Sequence, residues 1–338
     1  VVPQELLERP VAKRAGIGTA HDAVATKSPE AQASYGQGLA YLHSFVWIEA
    51  ARPFHQALRS DPNLALAHVG LSYAYIEANK PVEARQAMAR ARALATGNPS
   101  TFAPGATADK KGLPPHEHHH IEARALQMAA EDAPGDKTRL AAYRKALDTA
   151  ITAFPDDVEL ILKRGIAESA DPADRGQGSV VGSIPFYERA LKIAPNHSGA
   201  RHYLAHAHEN SGRIGEAVTN AAAFASQATA VPHAQHMHGH ELRRAGRPAE
   251  AATQFEIADK LQRDYFAREK VAADLDWHHT HNLDLLATTY QYLGQMKKAE
   301  PLFKQSFGLP SNLLVQIINK REWPAFLLAP RQTPRCGR

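Results

Sequence analysis

Cysteine is almost missing from this chain. The one residue, Cys336, stands two places before the final Arg338. An intrachain disulfide is therefore impossible, and with no Cys-x-x-Cys-His segment there is no attachment point for a c-type haem. No run of 18 apolar residues occurs, so no segment reads as a membrane-crossing helix. An excess of either charge is lacking too: 39 Lys and Arg stand against 35 Asp and Glu, for a net +4 and a pI near 9.0. Without a Lys/Arg run interleaved with aromatics, nucleic-acid binding gains no support. Ser/His/Asp and Cys/His constellations are absent, as is a glycine loop that could cradle a phosphate. What remains, 44% hydrophobic and 22% charged residues, is the composition of an ordinary soluble globular chain.

Histidine is plentiful, at 19 residues, and it is patterned. His202 and His206 are four apart, as are His236 and His240, and residues four apart share a helix face. The two pairs are separated by 34 residues, the period of the tetratricopeptide repeat. Other residues keep the same period: Gly212 with Gly246, Glu216-Ala217 with Glu250-Ala251, and small Ala205 with Gly239. A third copy fits after an insertion of about 14 residues, with Gly294, Ala287 and Lys298-Ala299 in the matching places. In that register His281 aligns with His233, and Asp284 with His236.

In chain order, residues 1–30 read as a leader with one short helix near Gln4–Glu8. Residues 31–96 hold two repeats, in which Glu83-Ala84 and Met88 follow Glu49-Ala50 and Phe54 by 34. Gly70 and Tyr73 follow Gly38 and Tyr41 by only 32, which predicts a second turn about two residues longer. Residues 97–115 read as loop from their Gly and Pro content. Residues 116–197 read as central helical repeats with an insertion loop at 170–182, residues 198–307 as the histidine-rich repeats, and 308–338 as a capping tail. A further loop is expected at 264–279. The fold class predicted is all-α: five or six helix pairs stacked as a right-handed superhelical solenoid.

The segments Gly38-Leu39, Phe45, Glu49-Ala50, His202-Tyr203-Leu204-Ala205-His206, His236-Met237-His238-Gly239-His240 and His281-Asn282-Leu283-Asp284 resemble a group of bacterial tetratricopeptide proteins. Those proteins carry His-Tyr-x-x-His, His-Met-x-x-His and His-Asn-Leu-His elements. Asp284 replaces the last histidine of that pattern, and His238 a frequent proline. The resemblance implies that His202, His206, His233, His236, His240, His281 and Asp284 point into a concave groove. With the start at Val1 it also gives the expectation of a periplasmic or secreted location.

Imidazoles from neighbouring helices can meet at one ion. The expected ligands are His202, His206, His236 and His240, with Asp284, His281 or His233 completing the site of one zinc, copper or iron ion. Aspartate disfavours Cu(I). The isolated His43, His55, His68 and His197 read as ordinary solvated or hydrogen-bonded side chains, and the His116–His120 run as exposed. Three function classes follow. One is a metal-binding scaffold. Another is a scaffold holding a peptide or partner subunit in the groove without metal. The third is a metal-dependent enzyme with Glu209, one turn beyond His206, as its base.

Overall fold

In the computed structural model, which describes residues 2–20, 22–96, 113–311, 314–318, 320 and 322–328, every regular element is a helix, and no strand occurs among the described residues. A short α1 (Gln4–Leu7) precedes the pairs α2 (Pro29–His43) with α3 (Trp47–Ser60) and α4 (Ala65–Glu77) with α5 (Pro81–Thr96). Next come α6 (Pro115–Glu131) with α7 (Lys137–Ala153), α8 (Val158–Ile166) with α9 (Ile184–Ile193), and α10 (Ser198–Asn210) with α11 (Ile214–Gln227). The chain continues with α12 (Pro232–Arg244), α13 (Pro248–Glu269), α14 (Trp277–Tyr292), α15 (Met296–Gly308), α16 (Leu314–Ile318) and α17 (Glu322–Leu328). Apart from residues 113–115, the loop expected at 97–115 lies outside the described residues.

One turn recurs, and it explains the 34-residue period. Phe45, Asn79, Gly212, Gly246 and Gly294 each adopt a left-handed backbone, with φ of 56, 58, 76, 75 and 71°. The next residue donates its N–H to a carbonyl five places back, as in Val46 to Tyr41 (3.0 Å) and Arg213 to His208 (2.8 Å). This Schellman closure satisfies the last carbonyls of the first helix and reverses the chain. The two helices are then pressed together through residues with little or no side chain. Ala50, Ala84, Ala217, Ala251 and Ala299 are fully buried. Seven places before each left-handed residue stands Gly38, Ser72, Ala205, Gly239 or Ala287. A Cβ on Gly38 would lie 2.6 Å from Phe54 Cε1. Ser72, not Gly70, is therefore the equivalent of Gly38, and the second turn is no longer than the first. Gly70 instead touches Phe54 from α4, where a Cβ would be 2.4 Å from the ring. These are helix-turn-helix repeats of the tetratricopeptide type.

The chain divides into two compact units, Val1–Met237 and His238–Arg338, with the boundary inside α12. In the first unit α2 packs against both α4 and α10, so the inner helices close around a cavity of ≈ 50 Å³ lined by His43, Tyr73, His120, Glu159, Lys163 and Tyr203 among others. The N-terminal segment packs on the helices of this unit. Arg14 N–H donates to Gln37 Oε1 (2.9 Å), Val24 N–H to Gln32 Oε1 (3.0 Å) and Ala25 N–H to Glu117 Oε1 (2.6 Å). Gly16 and Thr19 accept through their carbonyls from the amides of Ala230 (2.7 Å) and Ser198 (3.0 Å). Ile17 and Val24 of this segment are buried.

In the second unit α13 runs to Glu269, past the start of the loop expected at 264–279. Tyr265 and Glu269 are buried, and Lys270, at φ 53°, ends the helix. The insertion thus adds helical turns, and Asp276 starts α14 by accepting from the amides of His278 (2.8 Å) and His279 (2.9 Å). Burial raises the Asp276 carboxyl to about 6, against the lowering by those two amides. The tail packs on this unit: Gln316 donates to the Asp274 carbonyl at 3.0 Å, and the Phe326 ring lies 5.1 Å from Phe303.

Candidate metal centre

Three imidazoles of the first unit converge. His202 and His206 project from α10, and His233 from the first turn of α12. His206 Nε2 and His233 Nε2 each lie 3.2 Å from His202 Nε2. All three residues are at most 5% exposed. Two such nitrogens on one ion, at about 2.0–2.1 Å and a tetrahedral angle, would be roughly 3.3 Å apart. The observed spacing therefore suits ligands of a single ion.

The tautomers also fit. His202 Nδ1 lies 2.6 Å from the carbonyl oxygen of His43, which can only accept. The proton is thus on Nδ1, and the Nε2 lone pair faces the other two rings. Metal-bound histidines are held in the same way. Burial, and next the neighbouring His206, push the His202 imidazole well below its ordinary pKa, so the ring is neutral. Glu209 Oε2 lies 3.5 Å from His206 Nδ1, the ring edge away from the shared Nε2 atoms. That is the place of a partner that orients the imidazole.

Aromatic rings enclose the trio. Phe45 lies 4.6, 6.3 and 5.5 Å, centroid to centroid, from His202, His206 and His233. Phe224 stacks on His202 at 4.7 Å and 14°. The expected ligands are distributed as follows. His236 is buried and stacks on His233 at 5.7 Å and 16°. His240, His281 and Asp284 belong to the second unit. There His240 Nδ1 lies 3.5 Å from Glu241 Oε1, His281 stacks on Trp277 at 6.1 Å, and Asp284 is buried.

Beside the trio lies a cluster built from two histidines that the sequence left unmarked. His43 Nε2 lies 3.0 Å from both Glu159 oxygens, and His197 Nε2 lies 3.1 Å from Oε1. The chain extends to the Tyr203 hydroxyl, 2.8 Å from His43 Nδ1. These imidazoles hold the fully buried Glu159 carboxyl well below its ordinary value, against the raising effect of burial. This cluster is a poor metal site. His197 Nδ1 accepts the Ala200 amide at 3.2 Å, so its Nε2 carries the proton and donates to Glu159. The same logic applies to His120. Its Nδ1 accepts a hydrogen bond from Lys163 Nζ (2.7 Å), and its Nε2–H donates to Asp157 (2.8 Å). The expectation that the His116–His120 run is exposed fails at His120, which is 1% exposed because it turns inward to Asp157. His43 and His197 fall outside the repeat positions that flagged the trio, so periodicity gave no signal for them.

No protein-family model matches this chain, and no curated protein does. Among solved structures, a MamA protein is 15% identical with a TM-score of 0.40, over 62% of this chain and 98% of its own. A tetratricopeptide repeat protein from Parabacteroides merdae is 12% identical with a TM-score of 0.43, over 87% of this chain and 98% of its own. A human IFIT1 dimer with PPP-AAAA is 15% identical with a TM-score of 0.42, over 81% and 63%. At that identity and overlap, nothing about function passes from them to this chain.

Proposed function

We propose that this tetratricopeptide-type scaffold binds one transition-metal ion through His202, His206 and His233. The observation that carries the reading is the convergence of three buried Nε2 atoms, with the His202 proton fixed on its far side. Without a cation, lone pairs and N–H groups of three rings compete for one point, and at most one good hydrogen bond results. A cation gives every nitrogen a partner. Imidazole donors suit zinc, copper, iron or nickel. Because the site is enclosed, the ion's first effect would be on folding: binding at a hundredfold excess over Kd stabilises by about 2.7 kcal/mol.

Elemental analysis of protein purified without a nickel column tests this. One metal per chain is expected in the wild type and in His208→Ala, and a loss of stoichiometric metal in His202→Ala and His233→Ala. A wild type that stays metal-free under replete conditions, or a His202→Ala/His233→Ala protein that keeps one ion, would sink the proposal.

A second reading has its own observation. The N-terminal segment lies non-helical against the inner helices, held through its backbone by Gln32, Gln37 and Ser198. An extended peptide of similar chemistry could be held by the same side chains.

A further inference from the structure

Helices α1, α3, α4 and α5 surround a second cavity, of ≈ 690 Å³, in the first unit. Its floor holds His68, 1% exposed, with no hydrogen-bond partner at either ring nitrogen among the described residues. Of the other lining atoms, Gln4 Oε1 is also buried without a partner among the described residues. The Tyr75 hydroxyl meets His55 Nε2 at 2.7 Å and accepts from Gln4 Nε2 at 2.9 Å. An imidazole that is buried, unpartnered and set in a cavity wall needs a partner from outside the chain.

The charges at the rim indicate the chemistry of that partner. Arg59 donates to Gln56 Oε1 (3.1 Å) and to the Glu8 carbonyl, both uncharged acceptors. Arg90 makes neither hydrogen bond nor ion pair among the described residues, and it adds to burial in lowering the pKa of both His55 and His68. Of the two acids in the lining, Glu83 holds Lys80 at 3.0 Å, and Glu8 takes only the neutral Gln4 amide at 2.7 Å and keeps its charge. Neither guanidinium is paired with a carboxylate among the described residues.

The same place in another repeat is lined differently. The groove between α9, α10 and α11 occupies the equivalent place. There Arg201 stands where His68 does, eleven residues before the left-handed turn residue. Its guanidinium donates to Asn220 Oδ1 at 3.1 Å, and its Nε is left without a partner among the described residues. At His68 neither ring nitrogen is bonded, and α1 adds a wall.

We propose that this cavity binds a small molecule through an oxyanion, a carboxylate or a phosphate group. Arg59 and Arg90 grip its oxygens, and the N–H of neutral His68 donates from the floor. Guanidinium forks match both oxyanions in two-point geometry. The site shares no residue with the histidine trio.

The test uses the full chain with labelled histidine, titrated at low ionic strength with inorganic phosphate and, separately, with acetate, against sodium chloride at matched ionic strength. The expected result is a saturable shift of the His68 ring resonances with one of the two probes. Arg59→Ala/Arg90→Ala should weaken it at least tenfold with the melting temperature unchanged. His68→Leu should weaken calorimetric binding severalfold, which keeps the test valid should the double variant fold poorly. A stronger response to phosphate assigns the site to phosphate esters, and to acetate, to carboxylates. The proposal is overturned if neither probe shifts His68 beyond the chloride control, since water alone then fills the cavity, or if the double arginine variant binds as the wild type does.

Discussion

Phe45 occupies a backbone position that elsewhere in this chain falls to glycine or asparagine. A left-handed conformation costs an ordinary residue roughly 1–2 kcal/mol. The return is a buried ring against all three imidazoles. Removing a buried phenylalanine costs about 3–5 kcal/mol, so the packing outweighs the strain. Phe45→Gly should therefore destabilise the protein by about 2 kcal/mol in denaturant titration, and, if the trio binds the proposed ion, it should speed its extraction by a chelator. An unchanged midpoint and exchange rate would show that the ring is incidental. Glu159 gives a second expectation at this scale. Glu159→Gln leaves imidazole N–H groups facing an amide and should cost about 2 kcal/mol, the range for losing hydrogen bonds to a charged group. The sign of its pH dependence follows from a folded pKa below the unfolded one. Glu159 stabilises above pH ~4.5, and that contribution fades as pH falls further. The variant should lose only this lowest part of the acid profile.

At the scale of the element, the recurrent turn decides where glycine matters. Gly212 has φ 76° and no atom within 4 Å of an added Cβ, so any cost of substitution there is conformational. Gly215, just inside α11, also has an open Cβ but an ordinary helical backbone. Gly212→Ala should thus destabilise by about 1 kcal/mol, whereas Gly215→Ala should be neutral or stabilise by about 0.4–1 kcal/mol. Equal effects at both sites would show that the turn does not require the left-handed geometry. The helix pairs, their seam of alanines and the Glu-Ala register were all legible in the sequence, because a 34-residue period records the turn and the small residues at once. The extension of α13 was not, since Tyr265 and Phe266 alone mark an apolar side there and two of the buried positions, Gln262 and Glu269, are polar.

For the whole molecule, buried neutral histidines set the acid response. Burial lowers His68 to about 3 and His279 to about 4, against an ordinary 6.5, and His55 likewise to about 4. Between these values and 6.5 the unfolded chain binds more protons than the folded one, so stability falls as pH falls. At pH 5, His68 and His279 should each cost about 2 kcal/mol. Asp276, raised to about 6, works in the opposite sense. Melting temperature should decline from about pH 6.5 downward, and His68→Leu should flatten that decline; a pH-independent melt from 7 to 5 would contradict it. Removing residues 1–27 strips the segment held by Gln32, Gln37 and Ser198. Amide exchange at Ser198 and Ala230, which donate to that segment, should then rise sharply. A synthetic peptide of residues 11–27 should restore protection if the inner face accepts an extended chain.

The sequence by itself determined the helical class, the repeat, and the fact that His202 and His206 share a face, since local spacing governs each of these. It also placed His233 among the candidate ligands through the alignment with His281. It did not decide that His233 meets the α10 pair while His236 stacks behind it. That depends on where the N-terminus of α12 lies beside α10, a relation between elements that no spacing within either one contains. The recruitment of His43, Glu159 and His197 was equally invisible. Glu159 lies 116 residues from His43 and meets it only because α10 returns against α2 and brings α8 alongside. Spacing along one helix is local chemistry; which faces meet after the chain closes on itself is settled by packing, and packing placed the site.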